Sequence, residues 1–194
     1  MSKSTALSQR LKSETASEHE RMHQLMAEGA PFASRERYAR FVAAQYLFQR
    51  DIEHLFAAPP VQAAVPDISV RGRAEASLAD LADLGTPAPV EDIATADVAM
   101  PEALGWIYVS EGSTLGAAFL LKEAGEKLGL DASFGARNLA AYPEGRMRVW
   151  KRFVEALDAE ALQAVQQPVL AGARAAYRRF GELLEREFAR GANA

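Results

Sequence analysis

Leu7, Leu11, Thr15, His19, Met22 and Met26 recur at steps of three and four. That spacing puts them on one face of an α-helix, and Lys12, Glu14, Glu18 and Glu20 flank the face with charge. The same period governs nearly the whole chain. Phe41, Gln45, Phe48, Ile52 and Leu55 form a second stripe, with Ser34 placed to cap its helix. Pro59, Pro60 and Pro66 interrupt the pattern; a shorter helix is expected over about Arg71 to Leu84, ended by Gly85-Thr86-Pro87-Ala88-Pro89. A longer helix should run from about Glu102 into the 120s. Asp131 to Arg146 reads as a long ordered loop, followed by helices over about Met147 to Leu157 and Glu160 to Arg190, the second bent or split at Pro168. Val and Ile are sparse, and no hairpin signal joins alternating runs. The fold class is therefore all-α, a single-domain helical bundle of about eight helices.

Composition narrows the chemistry. The 194 residues suit one domain, ordered over about residues 7–188, and a hydrophobic fraction of 49% is enough for a sizeable core. A formal net charge of -4 gives no reason to expect a nucleic-acid partner. There is no cysteine, which excludes disulfides, iron–sulfur clusters, zinc–thiolate sites and thiolate-bound heme. No secretory signal or run of about 18 apolar residues stands out. A cytoplasmic protein with no membrane association is expected.

Glu111-Gly112-Ser113-Thr114-Leu115-Gly116-Ala117-Ala118 is the most unusual local feature. Each glycine inside a helix costs about 1 kcal/mol relative to Ala. Two of them four apart strip one face of side chains, so something must come close to that backbone. Two readings stand side by side: a tight helix–helix contact, or a flat cofactor against a kinked helix. The chain has only three histidines, His19, His23 and His54. His19 shares the face of Leu7, Leu11 and Met22 and is expected to point inward. With no cysteine present, an imidazole is the simplest iron ligand.

Gly105-Trp106-Ile107-Tyr108-Val109-Ser110-Glu111-Gly112-Ser113-Thr114-Leu115-Gly116-Ala117-Ala118-Phe119-Leu120 resembles the distal helix of bacterial heme oxygenases, in particular the branch known from iron-scavenging pathogens. Leu11-Lys12-Ser13-Glu14-Thr15-Ala16-Ser17-Glu18-His19 resembles the proximal helix of that family. Gly135-Ala136-Arg137-Asn138-Leu139 and Pro143-Glu144-Gly145-Arg146 resemble its later loop. The resemblance runs from about Leu7 to Phe188. It implies a heme held between a proximal and a kinked distal helix, with His19 as the iron ligand and Gly112 and Gly116 as the distal glycines. It also implies that Lys12 and Tyr108 contact the propionates, that Ser113 belongs to the cofactor-binding set, and that Tyr177 and Phe180 lie along the heme edge. The implied reaction opens heme, with O2 and an external electron donor, to biliverdin IXα, CO and ferrous iron. A ferredoxin or flavoprotein reductase is the implied partner, and a monomer is expected. A distal wall without acid or imidazole side chains suits oxidation of the porphyrin itself, for which the protein supplies orientation and electrostatics. Two positions depart from the family pattern. His23 stands where a carboxylate is common, and Thr114 stands where Asn is found in similar chains.

Two other readings compete. A heme carrier or sensor of the same fold would share the ligand, although the distal glycines favour turnover. A di-iron carboxylate bundle would use Glu20-x-x-His23 and Asp51-x-x-His54, with Glu111 and Glu182 as bridging carboxylates.

Overall fold

The computed structural model describes residues 5–192. Eight α-helices account for most of them: α1 (Leu7–Glu14), α2 (Ala16–Gly29), α3 (Arg35–His54), α4 (Pro59–Ala64), α5 (Ala74–Asp83), α6 (Glu102–Leu128), α7 (Arg146–Leu157) and α8 (Gln166–Ala192). Among the described residues there is no strand beyond isolated bridges in the loop after α6. The all-α class holds, but the helices are distributed differently from the expectation. The first stripe is two helices, not one. Thr15 leaves helical geometry at φ -116° and ψ 17°, and its hydroxyl donates to the Leu11 carbonyl at 2.7 Å. That local bond competes with the helical ladder. Pro59 opens the short α4 instead of only interrupting the pattern, as a first-turn proline can. Pro168 does not bend the last helix. It lies in the first turn of α8, and residues Glu160–Val165 ahead of it form a 3₁₀ segment.

Ser34 caps α3 as expected, its hydroxyl accepting from the Arg37 N–H at 3.1 Å. The 131–146 loop is ordered by two acids from α5. Asp80 accepts the N–H groups of Arg137 (2.9 Å) and Asn138 (3.0 Å), and Asp83 accepts that of Gly135 at 2.8 Å.

α8 is the base on which the other long helices rest. α6, α3, α2 and α1 all pack against it, whereas α2 and α6 scarcely touch one another. The core between them is built from Leu11, Phe41, Leu47, Ile52, Leu104, Ile107, Phe153, Leu183 and Leu184, all buried. α6 and α8 meet backbone to backbone. A Cβ on Gly105 would collide with the Val169 carbonyl and the Ala173 amide, and one on Gly172 with the Glu102 carbonyl. None of these obstacles is a flexible side chain.

Gly105→Ala should therefore destabilise the protein by about 3 kcal/mol, the upper range for overpacking a tight core, although the helix propensity of Ala favours it. Urea denaturation followed by circular dichroism reads the shift; an unchanged midpoint would show that the two helices can part without cost.

Candidate functional site

The site begins with what α6 does not carry. An added Cβ on Gly112 would meet only the Trp150 ring, at 3.7 Å, and one on Gly116 would meet nothing within 4 Å. These two glycines therefore do not seat a neighbouring helix; Gly105 does that one end away. α6 is helical without a break through both, and it presents open backbone where they stand. Ser113, between them, is exposed, and its hydroxyl donates to the Ser110 carbonyl at 2.6 Å. Thr114 points away from that open face. It is buried and donates to the Glu111 carbonyl at 2.7 Å, while Arg146 donates to its own carbonyl at 2.7 Å.

Behind the open face lies a buried polar layer. Glu111 and Arg71 are both fully buried and bonded at 2.6 Å. The Tyr142 hydroxyl lies 2.8 and 2.9 Å from the two oxygens of the same carboxylate. Burial raises the Tyr142 phenol well above its ordinary pKa, so it stays a donor to Glu111. Arg73 donates to the carbonyl (2.8 Å) and hydroxyl (2.9 Å) of Ser110, and Gln49 donates to that hydroxyl at 3.2 Å.

The opposite wall is α2. His19 is exposed, unlike Leu7, Leu11 and Thr15 on the same stripe. The ring stands at the edge of the contact between α2 and α8, so the expected inward position is an exposed one here. Its ring stands edge-on to His23, centroids 4.6 Å apart, and edge-on to Tyr177 at 6.5 Å. Partial loss of hydration, then the neighbouring His23, lowers the His19 pKa below that of a free imidazole, with Glu20 opposing. The ring is therefore predominantly neutral at pH 7.

An aromatic row joins the two walls. Tyr177, on α8, is buried beside His19. Tyr108, on α6, is also buried; desolvation pushes its phenol up to about 12, and nearby Tyr177 adds to the shift. Trp150, on α7, packs on Tyr108 with centroids 5.6 Å apart and reaches Gly112. Trp150 was not singled out from sequence. Its signal was faint: a tryptophan on the amphipathic α7, one residue before Lys151 and next to no motif. Phe180, one turn beyond Tyr177, packs on Phe48 at 5.0 Å and so supports the row from the side of α3. Lys12 is exposed on α1 and makes no ion pair or hydrogen bond among the described residues.

Two turns past His19 and one past Gly116, a cavity of about 470 Å³ opens between the end of α2 and α6. Met26, Ala27, Ala30 and Phe32 line one side of it, and Leu120, Glu123 and Lys127 the other. The lining is largely apolar, with charge only at the rim.

The site thus combines an unencumbered imidazole, a side-chain-free helix and a row of aromatic rings, and the apolar cavity lies beyond it along the same two walls. The heme oxygenase family model matches residues 5–186, and the chain belongs to the heme oxygenase family, enzymes that degrade heme. It is 50% identical over 185 residues to heme oxygenase PigA of Pseudomonas aeruginosa, covering 94% of this chain and 93% of that protein. Its fold matches a solved heme oxygenase from Neisseria meningitidis, described in NO- and CO-bound forms, with TM-score 0.86 and 33% identity over 95% of this chain and 93% of that one. A heme oxygenase from Leptospira interrogans, 20% identical, shares the fold at TM-score 0.76 over 93% of this chain and 98% of that one.

The di-iron alternative does not assemble. Glu111 is held by Arg71, Asp51 accepts from Arg179 at 2.9 Å, and Glu20, His23, His54 and Glu182 are exposed. No group of three or more His, Asp or Glu side chains converges to hold a metal among the described residues.

Because nothing stands near Gly116, Gly116→Ala should stabilise the heme-free protein by up to about 1 kcal/mol through helix propensity while weakening hemin binding. Thermal unfolding without hemin and hemin titration of the same variant separate the two effects. A gain in stability with hemin affinity untouched would show that the open backbone serves no ligand.

Proposed function

We propose that this chain opens heme oxidatively to biliverdin IXα, CO and ferrous iron, using O2 and electrons from an external donor, with His19 as the residue that would hold the iron. One observation carries the reading. An unbonded imidazole stands on α2, while α6 across from it is bare backbone at Gly116. The residues fit a heme in shape and in donor chemistry: the open backbone at Gly112 and Gly116 suits the face of the ring, and the aromatic row suits its edge. When bound, heme supplies both the iron and the carbon that is oxidised.

The chain's own residues supply placement. His19 offers one imidazole nitrogen. Gly112 and Gly116 let backbone approach closely, and Ser113 adds a hydroxyl beside them. Tyr177 and Phe180 line the edge, and Trp150 closes the space behind Gly112. Lys12 offers an exposed point charge for one propionate. The phenol of Tyr108 remains protonated far above physiological pH and is a directional donor for the same end. Thr114 contributes through the backbone of α6, since its hydroxyl is already bonded to Glu111. We further infer a one-domain monomer working in the cytoplasm with a ferredoxin or flavoprotein reductase. No helix among the described residues is long and apolar enough to cross a membrane. A carrier of the same fold would bind heme without consuming it, and turnover separates the two.

Added hemin should give a Soret band that decays to bilin absorption on addition of reductant and O2. His19→Ala should lose the imidazole-ligated spectrum and most of the turnover. A stable Soret band under reductant and O2 would favour the carrier, and an unchanged spectrum in His19→Ala would move the ligand elsewhere.

The product isomer tests the anchoring. Lys12→Ala with Tyr108→Phe should still turn over but yield mixed bilins. Each lost contact is worth only about 1 kcal/mol, and seating preferences of that size are enough to give a mixture. Chromatography of the isomers decides; a β or δ product from the unaltered protein would overturn the anchoring while leaving the activity.

A further inference from the structure

His19 and His23 lie one helical turn apart on the exposed face of α2. Their ring centroids are 4.6 Å apart and their planes are inclined at 70°. The side-chain hydrogen bonds of this turn run from Ser17 to Glu18 and from Arg21 to Glu185, leaving both imidazoles unbonded among the described residues. Two imidazoles that share one ion, each nitrogen about 2.1 Å from it, hold their ring centres roughly 4.5 to 5.5 Å apart. The observed spacing already falls in that range, so chelation needs rotation of the rings and no movement of the helix. Imidazole suits first-row divalent ions such as ferrous iron and cobalt.

We propose that His19 and His23 form a two-nitrogen chelate for a divalent first-row transition ion in the heme-free protein, and that it receives the ferrous ion released when the heme ring is opened. The chelate itself stands on the geometry of α2; its role in iron release rests on the proposed function. Among the described residues no third His, Asp or Glu converges on the pair, so water fills the remaining coordination positions. The transfer is an exchange of ligands. The ion leaves the nitrogens of the opened ring, gains the His23 nitrogen and water, and keeps its oxidation state. A site with two protein ligands binds weakly enough to let the ion go, as an exit position must.

Titration of the heme-free protein with Co2+, followed by visible absorption and by paramagnetic shifts of the histidine ring protons, tests the chelate. One equivalent should bind, with shifts at His19 and His23. His19→Gln and His23→Gln should each weaken binding at least tenfold, and His54→Gln should leave it unchanged, with circular dichroism showing that all three variants remain helical. A nitrogen-donor site holds Fe2+ less tightly than Co2+, so Fe2+ added without oxygen should displace the Co2+ only in excess. The chelate is overturned if Co2+ does not bind, if His23→Gln binds it as the unaltered protein does, or if binding is lost in His54→Gln. Failure of a large excess of Fe2+ to displace Co2+ overturns the part in iron release. Hemin titration of the unaltered protein keeps the two readings apart. Co2+ bound at both rings without a Soret band for hemin would remove the heme reading alone, and a normal Soret band without Co2+ binding would remove the chelate alone.

Discussion

The carboxylate of Glu111 is the fixed point of this structure. It lies in the middle of α6, out of contact with water, and is bonded to the guanidinium of Arg71 and the hydroxyl of Tyr142. A charge so placed is tolerable only with partners in good geometry. Removing one partner of such a pair typically costs 3–5 kcal/mol, because the other remains buried and uncompensated. The requirement ties three distant stretches together. Arg71 also donates to the Pro66 carbonyl at 2.8 Å, which fixes the segment before α5. Tyr142 brings in the loop before α7. With Arg73 and Gln49 on Ser110, the back of α6 is bonded along its length. Its front can therefore remain bare without the helix shifting to fill the space.

The bare front becomes a site only because of where α2 sits. Both helices rest on α8, yet they scarcely meet, and the space between them is closed at its base by Tyr177 and Tyr108. α2 is itself held to α8 by Arg174, whose guanidinium lies 3.5 Å from Glu18. The two walls are thus positioned by contacts behind and beneath them, not by each other. A flat ligand can enter between them without breaking an existing helix interface.

Much of this was legible in the sequence and some was not, for physical reasons. The helical period, the Ser34 cap and the cost of glycines in a helix are local properties, and all three read correctly. The break at Thr15 was invisible because Thr is common enough inside helices; only the bond to Leu11 shows which alternative it takes. Sequence also found a glycine pair that needed explaining, but tight helix contact and ligand approach predict the same residues. The structure separates them by what a Cβ would meet: backbone at Gly105, empty space at Gly116. Spacing put His19 on the face of Leu7 and Leu11, and the resemblance gave it a ligand's role; its exposure depends on contacts across the chain and could not be read locally. Trp150 belongs to the site through its contacts with Gly112 and Tyr108, and contacts across the chain leave no mark in a single sequence.

α6 can also be viewed as a beam. At one end, Gly105 presses directly on the backbone of α8. At the other, the guanidinium of Arg35 grips the Leu128 carbonyl at 2.8 and 3.0 Å, and Gly129 in left-handed geometry at φ 65° stops the helix. Gly116 lies eleven residues from the first support and twelve from the second, about 16 to 18 Å each way at the rise of an α-helix. A third support stands just before the centre, where Arg71 holds Glu111 and Arg146 holds the Thr114 carbonyl. The stretch that faces the ligand is thus stiffened from behind, and no contact on the ligand side is needed to keep it straight.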